Sequence, residues 1–368
     1  MVVFSHLRWD WVWQRPQHLI SRIGASTEVV FVEEPLATGA EEPHLVTARD
    51  GNLTRVWLEV PGSEHPSGFE PWCQEIYRRE LPAILGERSD RLVWMYTPLA
   101  LPLVEEVDHT ALVYDVMDDL ASFDLAAHEL VLRQGQLLRR ADVVFTGGRS
   151  LQRGVAARRP EGTHCFPSGV DARHFEGARG RRGERERPVA GYVGVVDERL
   201  DVDLIAGLAA ELTDWDVRIV GPVAKIDAAS LPQAPNLTWA GPRTYDELPG
   251  ELAGFDVALM PFALNEATRS ISPTKTLEYL AAGLPVVSTR VPDVVAEHDT
   301  VVDLRDDAAG FAAACREVLD HDLSARDRKL QPLLSARSWD RIAVAMLDHI
   351  GEVARARRAE LEEGEVSA

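Results

Sequence analysis

The sequence predicts an α/β protein of two consecutive doubly wound domains, and three observations carry that expectation. The chain has 368 residues, whereas a single hydrophobic core usually stops growing at about 250 to 300 residues. Short β-branched runs alternate with helical patterns through most of its length, as parallel strands joined by crossover helices do. The segment GARGRRGERERP at 177–188 interrupts that alternation with glycine and charge and almost no apolar residues. It cannot contribute to a core, so it reads as an exposed linker between domains.

The elements follow in order. Candidate strands of the first half are Val2–Phe4, Val29–Val32, Leu92–Tyr96, Ala111–Val116 and Val143–Thr146. Such continuous apolar runs suit strands buried on both faces. Asp124–Arg140 has apolar residues at helical spacing and is the clearest long helix of this half. After the linker, strands are expected at Val189–Val196, Val217–Val220, Leu237–Trp239, Val257–Met260 and Val286–Ser288, and helices at Asp203–Leu212 and Thr274–Ala282. A last helix, Trp339–Ala356, precedes a polar tail, EEGEVSA, expected to fray. The domains expected are therefore 1–176 and 189–338, with the linker at 177–188 and the closing helix and tail at 339–368. No internal repeat of about 20–50 residues appears.

Composition excludes several function classes. A formal net charge of -20 argues against a nucleic-acid partner, which would call for a basic stripe to displace counterions. The cysteines, Cys73, Cys165 and Cys315, are odd in number and lack metal-ligand spacing, so neither a disulfide framework nor a zinc site is expected. The chain opens directly on a strand, without the basic and apolar regions of a secretion signal. It holds no run of about 18 apolar residues that would span a bilayer. The expected setting is a reduced cytoplasm.

The most informative stretch is 260–289, MPFALNEATRSISPTKTLEYLAAGLPVVST. A strand ends at Met260, a polar loop follows, and Ser272 as N-cap with Pro273 as the first helical residue opens a helix that Gly283 and Pro285 close. Free backbone N–H groups and the helix dipole favour a phosphate at that amino end. Lys275 adds a full positive charge in the first turn, and Arg269 in the loop adds a second. Glu278, three residues on, shares a face with Lys275, where its carboxylate can accept hydrogen bonds from two adjacent ribose hydroxyls. An exposed Lys275–Glu278 ion pair is the plainer alternative.

The segment SPTKTLEYLAAGLPVVST resembles the donor-binding motif of GT-B glycosyltransferases, in particular the bacterial group related to family 4 and to teichuronic-acid and exopolysaccharide transferases. HLRWDWVWQRPQHLISRI resembles the first loop and helix of that group. YVGVVDERLDVDLIAGLAAEL resembles the start of its donor domain, and ADVVFTGGRSL with PSGVDARHF resembles its hinge approach. The resemblance thus runs along nearly the whole chain. It implies two Rossmann-like domains facing across a cleft, acceptor-binding first and nucleotide-sugar-binding second, with the C-terminal helix returning to the first. It also implies donor contacts from Ser272, Thr274, Lys275 and Glu278. Family 4 enzymes carry two basic residues after the first glycine of the donor domain; here Val195 replaces one and Arg199 keeps the other. Their E-x7-E pattern is also broken, since Ser270 stands eight residues before Glu278 and Glu266 is out of register. By the same analogy, Tyr245 in WAGPRTYDELP lies near the nucleotide base, or else packs at its helix start.

Transfer from a nucleotide sugar leaves negative charge on the departing diphosphate, and cations with helix amides stabilise it without a metal ion. No cofactor or metal is expected, the nucleotide sugar being a co-substrate. Asp201-Val202-Asp203 has the D-x-D pattern of metal-dependent transferases, yet it stands at a helix start, where acids favour the dipole. An inverting reaction needs a base at the acceptor hydroxyl. Asp115, Asp118 and Asp119 lie at the carboxyl end of a strand, where open α/β sheets bind ligands, and Asp118 is the preferred residue. His6 follows the first strand in the same sense, within a loop made aromatic by Trp9, Trp11 and Trp13; most of these tryptophans are expected to be structural anchors. The expected partners are a UDP- or GDP-sugar and a glycan or lipid-linked acceptor of cell-envelope or exopolysaccharide synthesis. A lipid-linked acceptor would bring the chain to the inner membrane face as a peripheral protein. The alternatives are a nucleotide-sugar epimerase or hydrolase of the same fold, or a non-catalytic sugar-nucleotide-binding protein. A nicotinamide oxidoreductase and a P-loop NTPase lack their glycine fingerprints here.

Overall fold

The structure, a computed structural model, describes residues 1–66, 68–88, 90–120, 128–179, 186–319 and 324–366. The chain forms two compact units. Unit 1 comprises Met1–Gly147, Leu151–Phe166 and Asp340–Ala368, and unit 2 comprises Gly148–Ser150 and Pro167–Trp339.

Unit 1 is one sheet flanked by helices. Its strands are β1 (Val2–Ser5), β2 (Val29–Glu33), β3 (Leu36–Ala37), β4 (His44–Asp50), β5 (Leu53–Val60), β6 (Arg91–Met95), β7 (His109–Val116), β8 (Val143–Thr146) and β9 (Thr163–Cys165). They lie in the order β3-β5-β2-β1-β6-β7-β8-β9, with β4 paired to β5. Every ladder is parallel except β4–β5, a hairpin whose outer strand is largely exposed. The helices are α1 (Arg15–Ile23), α2 (Pro71–Leu85), α3 (His128–Arg140) and α4 (Arg149–Ala156). Alternation along the strands gives the sheet two buried faces. Val93, Met95, Tyr114, Val116 and Val144 build one core with Cys73, Tyr77 and Leu137 of the helices. Asp115 and Phe145, neighbours in the β7–β8 register, point to the other.

Unit 2 contains α5 (Ala172–Glu176), β10 (Val189–Val193), α6 (Val202–Glu211), β11 (Asp216–Val220), β12 (Leu237–Trp239), α7 (Leu248–Ala253), β13 (Val257–Met260), α8 (Thr274–Ala281), β14 (Val286–Ser288), α9 (Pro292–His298), β15 (Asp303–Leu304), α10 (Ala308–Leu319) and α11 (Ser324–Ala336). Its strands run in the order β12-β11-β10-β13-β14-β15, all parallel. The chain winds outward from β10 to β12, then returns to build the other half from β13, so the topological switch lies between β10 and β13. Ligands of such sheets bind at the carboxyl ends of the strands at that switch.

The closing helix α12 (Trp339–Val366) starts in unit 2, and from Asp340 onward belongs to unit 1. There Arg22 pairs with Asp340 at 2.5 Å, Arg357 pairs with Asp142 at 2.6 Å, and His349 stacks on His164 at 3.9 Å. The C-terminal helix thus returns to the first unit.

Several boundaries differ from expectation. The first half gives way to unit 2 at Phe166/Pro167 rather than at 177–188, because Val170, Phe175 and Ala178 are buried in the second core. Residues 180–185 of the expected linker lie outside the described residues, as do 124–127 of the expected long helix, of which α3 forms the remainder. The expected strand to Val196 stops at Val193, where Gly194 takes φ 149°. The tail expected to fray continues α12 as far as Val366. Among the described residues, no helix is long and apolar enough to cross a membrane.

Candidate active site

Of the residues predicted to contact the donor, Lys275 on α8 reaches the turn at the carboxyl end of β10 in unit 2. Pro273 has φ -67° and ψ 117° and is itself the N-cap of α8, with no side chain capping it. Thr274 is therefore the first helical residue and Lys275 the second, one position later than expected from Ser272 and Pro273. The extended ψ of Pro273 is what shifts the start. The carbonyl of Ser272 accepts a hydrogen bond from Ser168 Oγ at 2.9 Å, which anchors the loop just ahead of the helix. The far end closes on Gly283 as expected, with Gly283 N–H donating to Leu280 O and Leu284 N–H to Tyr279 O, both at 3.0 Å.

Lys275 reaches back from α8 to the turn after β10. Its Nζ lies 5.4 Å from the ring centroid of Tyr192 and 5.1 Å from that of Phe262. Aromatic faces at these distances attract an ammonium group. Lys275 Cε stands 2.8 Å from where a Cβ on Gly194 would be, so the lysine stem fills the space that the glycine leaves. Gly194 and Gly221 have φ 149° and 147°, and a Cβ on Gly221 would come within 1.9 Å of Gly194 O. Both positions require glycine for conformation and for room. The result is a bare backbone floor beside an ammonium group and an uncapped helix start, which suits an anion.

Glu278 lies one turn further along α8 and is half-buried. Burial pushes its carboxyl up to about 7, against the downward pull of Lys275. The two side chains are thus half-buried and interact electrostatically, which differs from the exposed ion pair of the plainer alternative.

Other predicted donor residues are engaged elsewhere. Arg199 holds Asp197 in a fork, with Nε 3.0 Å and 3.1 Å from its two oxygens and Nη2 2.6 Å from Oδ2. Its charge is therefore already neutralised two residues away, a pairing that the local sequence D-E-R could have signalled. Arg269 is 69% exposed and pairs with Glu266 at 2.9 Å, which also gives that carboxylate a role apart from donor hydroxyls. Tyr245 stacks on His174 with centroids 4.1 Å apart and planes 6° from parallel, and meets Phe175 edge-on at 5.7 Å. One face of its ring is thus taken by His174, and the tyrosine packs at its helix start. Asp201 is the N-cap of α6, accepting Leu204 N–H at 2.8 Å. The D-x-D pattern is thus a helix cap. Asp201→Ala is expected to cost about 1 kcal/mol of stability, measured by urea denaturation.

In unit 1 the structure separates three carboxylates that the sequence groups together. Asp115 is fully buried, with both oxygens 3.0 Å from Arg15 Nε and Oδ1 2.9 Å from Arg15 Nη2. Arg15 Nη1 also donates to Phe166 O at 2.8 Å. Asp115 therefore anchors α1 to β7 and is no candidate base, because its position within the strand turns it under α1. Asp115→Ala would leave Arg15 charged in the core, and is expected to destabilise the protein by about 3–5 kcal/mol, read as a lowered denaturation midpoint. Asp118 and Asp119 instead lie past the last residue of β7 and are half-buried. His6 lies likewise past the end of β1, also half-buried. In the sheet only β6 separates β1 from β7, so these two strands lie about 10 Å apart and Asp118 and His6 follow them at the same carboxyl edge.

The aromatic loop after β1 is mostly scaffold, as expected. Trp9 packs edge-on against Phe31 at 5.1 Å and Trp13 at 6.0 Å, and Trp13 Nε1 donates to His18 Nδ1 at 3.1 Å. Buried Glu33 holds the loop by accepting from Arg8 Nη1 and Trp9 N–H, both at 3.2 Å, while Arg55 Nε donates to it at 2.9 Å. Trp11 differs, being 50% exposed.

Comparison with known proteins agrees with this architecture. Residues 187–321, which hold Gly194, Lys275 and Glu278, match the family described as Glycosyl transferases group 1. TuaH of Bacillus subtilis, named as a candidate glycosyltransferase of teichuronic acid biosynthesis, is 26% identical over 288 residues, covering 68% of this chain and 71% of its own. A sucrose-phosphate synthase of Thermosynechococcus elongatus superposes with a TM-score of 0.70 at 15% identity, covering 96% of this chain and 99% of the other. The Anabaena protein HepE, in complex with UDP and glucose, superposes with a TM-score of 0.67 at 14% identity, covering 95% and 98%.

Proposed function

We propose that this chain, which has the GT-B fold, is a group 1 glycosyltransferase that moves a sugar from a UDP- or GDP-sugar to a glycan or lipid-linked acceptor, without a metal ion, in cell-envelope or exopolysaccharide synthesis. One observation carries the donor half: the Lys275 ammonium group lies beside the Gly194 turn, at the uncapped amino end of α8. As the bond to the anomeric carbon breaks, negative charge builds on the diphosphate, and an ammonium group with oriented amides stabilises it there. Metal independence is inferred from the same cation and from Asp201, whose carboxylate is spent on capping α6. The UDP bound by the Anabaena neighbour supports a nucleoside diphosphate as ligand, and TuaH supports an envelope polysaccharide as destination. A lipid-linked acceptor would make the membrane contact peripheral.

On this reading Glu278 accepts the ribose hydroxyls, which it does best as a carboxylate. Its pKa of about 7 therefore predicts donor affinity that strengthens as pH rises through about 7, and the Glu278→Gln variant should lose that dependence. The stability of the unliganded protein should move in the opposite sense. Between 4.5 and about 7 the folded state binds a proton that the unfolded chain has released, so this group's contribution falls as pH rises across that window. Glu278→Gln should flatten that slope in a pH series of urea melts.

The overall reaction is tested by supplying UDP- or GDP-sugars with and without a polysaccharide or lipid-linked acceptor. Release of nucleoside diphosphate that depends on acceptor supports transfer. Turnover at the same rate without acceptor would assign the site to an epimerase or hydrolase instead.

A further inference from the structure

The Gly194 turn is held from beneath by a residue that belongs to α8 but is absent from the donor contacts above. The β10–β13 ladder registers Ala190 with Val257 and Gly191 with Ala258. In a parallel strand the N–H and C=O of one residue point to the same side, and alternate residues point to the same neighbour. Val189 O accepts from Asp256 N–H at 2.8 Å, so residues 189, 191 and 193 face β13, whereas Gly194 N–H donates to Val220 O of β11 at 2.9 Å. At Val193 the strand partner is replaced by a side chain. Val193 N–H donates to the Tyr279 hydroxyl oxygen at 2.8 Å, and that hydroxyl donates to Val193 O at 3.1 Å.

Tyr279 is 1% exposed, and burial pushes its phenol well above its ordinary range, so the hydroxyl stays neutral and can both donate and accept. On the other side of Gly194, the Tyr192 hydroxyl donates to Val195 O at 3.1 Å. Phenols thus hold the peptide groups on both flanks of the turn. Tyr279 also follows Lys275 by four residues, about one helical turn. The helix carrying the ammonium group is therefore fastened to the backbone against which that ammonium lies.

We infer that Tyr279 is a positioning residue for the donor diphosphate: its hydroxyl stands in for the strand partner where β10 and β13 part, and so fixes the Gly194 turn relative to Lys275 and the first amides of α8. This inference rests on the reading of Lys275 as the diphosphate ligand. Tyr279→Phe keeps the ring and removes both hydrogen bonds to Val193.

The test is calorimetric titration of UDP and GDP, with uridine and guanosine as controls, into wild type, Tyr279→Phe, Lys275→Ala and the double variant. Tyr279→Phe is expected to weaken the diphosphate about tenfold and the matching nucleoside hardly at all. In the Lys275→Ala background the same substitution should change diphosphate affinity by less than about twofold, since residues acting through one contact are not additive. Equal losses for nucleoside and diphosphate would reveal a purely structural tyrosine and overturn the inference. So would unchanged diphosphate affinity in Tyr279→Phe while Lys275→Ala has lost it, and that outcome leaves the donor site standing. If Lys275→Ala itself binds like wild type, the donor reading falls first. Should Tyr279→Phe fail to fold, hydrogen exchange of the Val193 amide in the wild type decides. Linkage predicts slower exchange with the diphosphate and not with the nucleoside, and an unchanged rate would contradict the inference.

Discussion

Lys275→Ala is expected to lower kcat/KM for sugar transfer by about 10²- to 10³-fold, the loss that follows removal of one preorganised group at a developing negative charge. The reason is local. The lysine stem lies against Gly194 and its ammonium group sits over Tyr192 and Phe262, so the cation is held in place before the donor arrives. Neither Arg199 nor Arg269 is set to replace it: Arg199 is forked onto Asp197 and Arg269 is paired at the surface with Glu266. Lys275→Arg should rescue poorly, because a planar guanidinium needs more room than the slot beside Gly194 gives. Steady-state kinetics with a saturating acceptor would measure both variants.

Asp118→Asn should reduce transfer by about 10²- to 10⁴-fold if its carboxylate takes the acceptor proton, the usual range for general-base catalysis. The substitution nearly preserves shape, and Asp118 lies in unit 1 while Lys275, the proposed diphosphate ligand, lies in unit 2. Nucleoside diphosphate affinity should therefore stay near the wild-type value, and stability should change by no more than about 0.5 kcal/mol. Transfer at the wild-type rate would end the candidacy of Asp118 as base. Asp119→Asn, made alongside, shows whether the two adjacent carboxylates are distinct. The contrast with Asp115 is instructive, because its loss should be felt in folding rather than in the chemical step.

Much of this was legible in the sequence, for physical reasons. Buried parallel strands announce themselves as apolar runs, so Val29–Val32, Val143–Thr146 and Val257–Met260 were found almost to the residue. The outer strand β4 was not, since a solvent-facing edge strand such as HLVTARD carries weak alternation. The reach of the second core back to Val170 was hidden as well. A short helix, α5, and a few anchors such as Phe175 leave little periodic signal beside a charged, glycine-rich run.

At the site, Lys275 and Glu278 were readable because helical spacing alone places them together. The partners of Arg199, Arg269 and Tyr245 are less readable, and for Tyr245 the stacking partner His174 lies 71 residues earlier in the chain. Asp115 and Asp118 looked equivalent in ALVYDVMDDLASF. Only the end of β7 at Val116 separates a buried anchor from a carboxylate at the sheet edge. Tyr279 was overlooked although it follows Glu278 directly, because a tyrosine inside a helix pattern reads first as core.

The central claim is that the amino end of α8 and Lys275 bind the donor diphosphate, and the most direct measurement is the thermal shift caused by UDP and GDP in wild type and in Lys275→Ala. A ligand that binds the folded state at a hundred times its Kd adds about 2.7 kcal/mol of stability. One of the two nucleotides should raise the wild-type Tm by a clear margin, and most of that rise should vanish in Lys275→Ala while persisting in Asp118→Asn. A rise of undiminished size in Lys275→Ala, or no rise with either nucleotide in the wild type, would contradict the claim.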